Sequence, residues 1–141
     1  MKRQGRHFKV AKKSERVGPR GITYRSKMER KFAQHLEAIR ASDPGMSWEY
    51  EPSISLVGIV YKPDFSELLG QQLVCYHEIK SFRRWVSPKT GKVAYRPIDK
   101  RWPTIKKLWK LYGPAILKVW TLERKTWKLV ETIKPPEDNL W

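Results

Sequence analysis

Leu73-Val74-Cys75-Tyr76-His77-Glu78-Ile79-Lys80 is the stretch on which the fold turns. Its run of apolar, β-branched and aromatic residues reads as a strand. Alternate side chains on a strand share a face, so Glu78 and Lys80 point the same way and stand next to each other. A carboxylate and an ammonium on a mostly buried strand are costly unless something uses them. Upstream lies Pro63-Asp64. If Asp64 ends a neighbouring strand, two carboxylates and a lysine converge. Two hard oxygen ligands and one cation suit a Mg²⁺ ion and a phosphate diester.

Outward from this strand, the chain alternates helical and extended patterns. Met28, Phe32, Leu36 and Ile39 recur at helical spacing over residues 26–40, and Ser42-Asp43-Pro44-Gly45 ends that helix. Residues 48–56 and 58–65 read as two strands, and Leu69-Gly70-Gln71-Gln72 as the turn into the Glu78 strand. Ser87-Pro88-Lys89-Thr90-Gly91-Lys92 marks the tip of a small basic hairpin. Residues 99–112 read as a second helix with Ile105, Leu108, Trp109 and Tyr112 on one side, stopped by Gly113-Pro114. Residues 115–122 and 126–133 form a closing hairpin across Glu123-Arg124-Lys125. The order predicts an α/β fold, a mixed central sheet flanked by helices. The expected division is a basic flexible arm over residues 1–20, a domain over 21–134 and an acidic, aromatic tail over 135–141.

At 141 residues and 40% hydrophobic content the chain can bury one core. Its formal charge of +16 weakens a compact state by self-repulsion, which makes a polyanion the natural partner. The seven Trp and six Tyr interleaved with the cations can stack bases as well as fill a core. A single cysteine, Cys75, excludes an intramolecular disulfide and a Cys-based zinc site. It lies on the strand face opposite Glu78 and reads as a buried structural thiol, and His77 beside it as a packed or hydrogen-bonded histidine. Glu67 reads as a loop carboxylate, as do Glu49 and Glu51. No apolar run is long enough to span a bilayer and no signal-peptide core is present, so no membrane partner and a cytoplasmic location are expected.

Four segments occur in order. Tyr24-Arg25-Ser26-Lys27-Met28-Glu29 opens the first helix, and Trp48-Glu49-Tyr50-Glu51-Pro52 follows. Then come Tyr61-Lys62-Pro63-Asp64-Phe65 and Glu78-Ile79-Lys80. Together they resemble the PD-(D/E)XK nucleases, and within them the phage endonuclease I-type Holliday junction resolvases; a group of phage nucleases and the transposase nucleases share the same order. The resemblance covers residues 22–82. It implies a restriction-endonuclease-like core and a structure-selective DNA endonuclease that hydrolyses phosphodiesters and leaves 5′-phosphate ends. It also implies a homodimer facing a four-way junction or other branched DNA, in the host-cell cytoplasm if the chain is phage-encoded. Asp64, Glu78, the carbonyl of Ile79 and Glu29 would serve the metal, Mg²⁺ with Mn²⁺ substituting, and Lys80 the chemistry. Ser26 and Glu29 equally fit a helix capping box, which is a complete structural account of Glu29.

Residues 81–130 hold fourteen Lys or Arg against Asp99 and Glu123. Arg83 and Arg84 are candidates to grip phosphates near the cut, because guanidinium forks match phosphate oxygens. Lys89, Lys92, Lys100, Arg101, Lys106, Lys107 and Lys110 extend that basic surface. Two other classes stay open. One is a nuclease of a different substrate, such as a flap, a mismatch or a transposon end. The other is a non-catalytic DNA-binding protein on a nuclease scaffold.

Overall fold

The computed structural model describes residues 11–97 and 99–139, with the backbone alone at positions 83, 84, 95–97 and 139. The chain divides into two compact units, Met1–Ser42 and Asp43–Trp141.

The first unit holds a helical turn α1 (Lys13–Arg16), a 3-10 turn over Pro19–Gly21 and the helix α2 (Lys27–Ser42). The second half of the expected basic arm is locally tied; its first ten residues lie outside the described ones. Val17 bridges Thr23, and the buried Tyr24 donates its hydroxyl to the Pro19 carbonyl at 2.9 Å. Phe32, Ala33 and Leu36 are the buried stripe of α2, while Ile39 is exposed.

The second unit carries a mixed five-stranded sheet, so the fold is α/β, with three helices among the described residues. Its strands are β1 (Met46–Tyr50), β4 (Phe65–Leu69), β5 (Gln72–Ile79), β8 (Ile116–Glu123) and β9 (Thr126–Ile133). β1, β4 and β5 form an antiparallel meander, β8 runs parallel to β5, and β9 closes antiparallel on β8. A parallel neighbour requires a crossover. Here it contains the β6–β7 hairpin (Phe82–Val86 and Val93–Pro97) and the helix α3 (Trp102–Tyr112). The closing hairpin turns through Arg124 and Lys125, both at positive φ, which matches the twist of the flanking strands.

Two sequence expectations shift. The extended segment 48–56 breaks at Glu51, whose φ is +51°, and at Pro52. Its second half, β2 (Ile54–Leu56), leaves the main sheet and pairs only with β3 (Ile59–Tyr61). Phe65, expected to end the strand over 58–65, and Glu67, expected on a loop, instead lie on one strand, β4 (Phe65–Leu69). Asp64 therefore stands at the start of a strand and not at the end of one.

α3 and the β2–β3 hairpin cover the sheet face that bears Tyr76. Tyr76, Leu117, Val119 and Ile133 from the sheet, Leu56 from β2, and Trp102 and Trp109 from α3 form one buried cluster. Tyr112, expected on the packed side of α3, is exposed. Gly113 must be glycine because a Cβ there would lie 2.6 Å from both the Trp109 ring and its carbonyl oxygen. Among the described residues no helix is long and apolar enough to cross a membrane.

Candidate active site

The register between β4 and β5 fixes the site. Phe65 pairs with His77, so the next opposed positions are Asp64 and Glu78, which share a face. Both are buried, Asp64 7% and Glu78 4% exposed. The Ile79 amide donates to Asp64 Oδ2 at 2.6 Å, and the Asp64 carbonyl accepts the Glu51 amide at 2.8 Å. Asp64 is thus held by the backbones of both neighbouring segments, and the buried Pro63 before it fixes the approach of the chain.

Glu78 is held by side chains. Tyr61, the last residue of β3, donates its hydroxyl to Glu78 Oε1. Lys80 Nζ lies 3.2 Å from Glu78 Oε2 and 2.9 Å from Asp99 Oδ2, with the Trp102 ring centroid 5.1 Å away. Burial works against the Lys80 charge, but Glu78 and Asp99 outweigh it and raise the ammonium above the ordinary lysine value. Asp99 is held below the ordinary carboxylate range, first by the hydrogen bond from Lys80 and then by the Arg101 amide. Burial and the charges of Glu78, Asp64 and Asp99 together push the Tyr61 phenol far above its ordinary value. Tyr61 therefore stays a donor to Glu78.

Asp99 and Tyr61 are the residues that sequence reasoning missed. A signal for Asp99 was present: it is the one acid between Glu78 and Glu123 in an otherwise basic stretch. Tyr61 carried no such mark.

The donor set of Asp64 and Glu78 fits a divalent cation. Both are hard oxygen ligands on one face. A carboxylate has about four lone-pair positions, so two hydrogen bonds do not exhaust one. Lys80 and Arg101 both lie against Asp99, which leaves Asp64 and Glu78 as the carboxylates a divalent cation would bridge.

Glu29 lies in the first unit. The Ser26 hydroxyl accepts the Glu29 amide at 3.0 Å and donates to Glu29 Oε2 at 3.3 Å, so Ser26 caps α2 and the Glu29 carboxylate folds back on its cap. Glutamine also serves at this position of a capping box. Glu29→Gln is expected to keep its melting temperature, within about 0.5 kcal/mol in stability. Loss of DNA cleavage at that intact stability would assign the carboxylate to chemistry.

On the opposite sheet face, Glu67, Cys75 and His77 bring ligand-type atoms within 4.8 Å of one another. Glu67 is on β4 and not on a loop. Its Oε1 lies 2.8 Å from His77 Nε2, and the Trp120 indole nitrogen lies 2.9 Å from His77 Nδ1. An indole N–H can only donate, so Nδ1 accepts and the ring proton sits on Nε2, directed at Glu67. A histidine bound to a metal through Nε2 normally donates from Nδ1, and that arrangement is blocked by Trp120. Burial pushes the Cys75 thiol up to about 12, with Glu67 adding to it. The cluster is a hydrogen-bonded structural chain.

Of the basic candidates, Lys89 and Lys92 sit in the exposed turn of β6–β7, and Lys100, Arg101, Lys107 and Lys110 are exposed along α3 and its approach. Lys106 pairs with Glu131 at 3.1 Å and is partly committed within the fold. Arg83 and Arg84 lie on β6, where only the backbone is described. Leu140 and Trp141 of the tail lie outside the described residues. Comparison with family models, with curated proteins and with solved structures finds no match.

Proposed function

We propose that this chain is a divalent-metal-dependent DNA endonuclease of the PD-(D/E)XK kind with a restriction-endonuclease-like core, acting on branched DNA and most specifically on four-way junctions. The observation that carries this reading is the pair of buried carboxylates Asp64 and Glu78 at opposed strand positions, with Lys80 bonded between Glu78 and Asp99. The antiparallel meander, the crossover and the parallel fourth strand support it, as does a charge of +16.

In this reading Asp64 and Glu78 hold Mg²⁺ or Mn²⁺, with the Ile79 carbonyl as a further ligand. A cation so held supplies Lewis-acid neutralisation of phosphate charge and a lowered pKa for water. Lys80 enters as a fixed ammonium that orients the nucleophile or stabilises charge growing on the phosphate. Tyr61 and the Ile79 amide fix the two carboxylates, so little reorganisation is needed. Lys89, Lys92, Lys100, Arg101, Lys107 and Lys110 hold phosphates on either side, a role that sets affinity and not sequence choice. A twofold junction suits a homodimer.

The test is incubation of the protein with end-labelled four-way junction, flap, nicked and linear duplex DNA, in Mg²⁺ and in EDTA. Junction cleavage that requires Mg²⁺ is the expected result. Preferential cutting of another structure corrects the substrate. If no DNA is cut in Mg²⁺ or Mn²⁺, the reading is wrong.

A further inference from the structure

Lys80 and Asp99 do more than neutralise each other, because of where they stand in the chain. β6 begins two residues after Lys80, and β7 ends two residues before Asp99. The 2.9 Å contact between Lys80 Nζ and Asp99 Oδ2 therefore closes the neck of the β6–β7 ribbon. That ribbon is a separate two-stranded sheet, without strand pairing to the central one. Isolated two-stranded hairpins are marginally stable in water. Trp85, Val86 and Val93 are exposed. On the β6 side the root is secured by Phe82, which packs against the buried cluster. On the β7 side Asp99 provides a tether.

We propose that Asp99 is a positioning residue: its carboxylate holds Lys80 in place beside Glu78 and clasps the root of the β6–β7 ribbon to the strand that bears the candidate active site. The part that concerns cleavage rests on the nuclease reading; the clasp does not. The competing account is that Asp99 merely shapes the Asx turn that leads into α3. Its Oδ1 accepts the Arg101 amide at 2.9 Å, and its carbonyl accepts the Trp102 amide at 3.2 Å. Asparagine forms such a turn as well as aspartate does but carries no charge. Asp99→Asn thus removes the tether and keeps the turn.

The experiment compares wild type, Asp99→Asn and Asp99→Glu. It measures amide hydrogen exchange over residues 82–97, single-turnover junction cleavage and junction affinity. The expected result for Asp99→Asn is faster exchange confined to the ribbon and cleavage slowed by about 10–100-fold, the usual loss on removing a group that orients a catalytic one. Affinity stays within about twofold, since the basic surface is intact. Asp99→Glu, which restores the charge, recovers part of the rate. Unchanged exchange in Asp99→Asn overturns the clasp whatever the cleavage rate, and an unchanged rate overturns the positioning role. A wild-type protein that cuts no DNA while Asp99→Asn still loosens the ribbon keeps the clasp and rejects the nuclease reading. If Asp99→Asn keeps the wild-type melting temperature, exchange and cleavage rate while Asp99→Ala lowers the melting temperature, the residue shapes the local turn only and the proposal falls.

Discussion

Asp64→Asn is expected to give a folded protein that binds branched DNA with wild-type affinity and cuts it at least about a thousandfold more slowly in Mg²⁺. A bound cation contributes several kcal/mol of transition-state stabilisation, and each 1.36 kcal/mol is about tenfold in rate. The fold survives because the asparagine carbonyl can still accept the Ile79 amide that Asp64 Oδ2 accepts at 2.6 Å. Glu78→Gln is expected to be equally inactive but less well tolerated. Its amide nitrogen would face either Lys80 or Tyr61, both donors, so one of two buried contacts is lost. A second readout is independent of cleavage. If Mg²⁺ binds the native state, it raises wild-type stability by mass action, by about 2.7 kcal/mol at a hundredfold excess over Kd. Asp64→Asn should lose that Mg²⁺-dependent rise in melting temperature, and its melting temperature without metal should equal or exceed that of wild type, because one of two buried, opposed carboxylates is gone. Wild-type cleavage by either variant would remove these residues from the proposed site.

The parts of this arrangement that were legible in the sequence are those fixed by local pattern. The β5 strand could be read because its apolar run is continuous, and the adjacency of Glu78 and Lys80 follows from strand periodicity alone. The helices α2 and α3 and the β8–β9 hairpin follow from spacing and turn chemistry. The shift of Asp64 to the start of β4 was hidden because Phe65-Ser66-Glu67 is polar in the middle. On that strand the Glu67 carboxylate bonds to His77 across the ladder. The β2–β3 excursion was hidden because extended, apolar character continues through Glu51 and Pro52, where the backbone in fact breaks. Asp99 was out of reach for a different reason. Its role depends on a ribbon folding back over nineteen positions to meet Lys80, and no local propensity encodes that closure. The same holds for Tyr61, which reaches Glu78 from a hairpin outside the main sheet.

Trp109→Ala is expected to be the most destabilising single change in the second unit, at about 3–5 kcal/mol for a buried Trp truncated to Ala. Trp109 is fully buried in the cluster between α3 and the sheet. Its ring meets Tyr76 edge-on at 5.5 Å and Tyr61 at 6.0 Å. Its indole nitrogen donates to the Ala115 carbonyl at 2.8 Å. Truncation opens a cavity and leaves that carbonyl without its indole donor. Against a typical total of about 5–15 kcal/mol, a loss of this size leaves a marginal protein. Trp109→Phe separates packing from the hydrogen bond: it keeps an aromatic edge for both tyrosines and should lose about 1–3 kcal/mol, chiefly from the orphaned carbonyl and the smaller ring. The two variants also bear on the site. Tyr61 is the group that fixes Glu78, and Trp109 is the wall against which Tyr61 rests. In Trp109→Phe, at a temperature where the protein is fully folded, cleavage should fall more steeply than junction affinity, because the basic surface is untouched while the carboxylate is less well held. Thermal unfolding gives the first quantity, and single-turnover rates alongside equilibrium binding give the second. A Trp109→Phe protein that loses stability but cuts at the wild-type rate would show that the Tyr61–Glu78 bond positions itself without support from α3, and the dependence of the site on this packing would have to be abandoned.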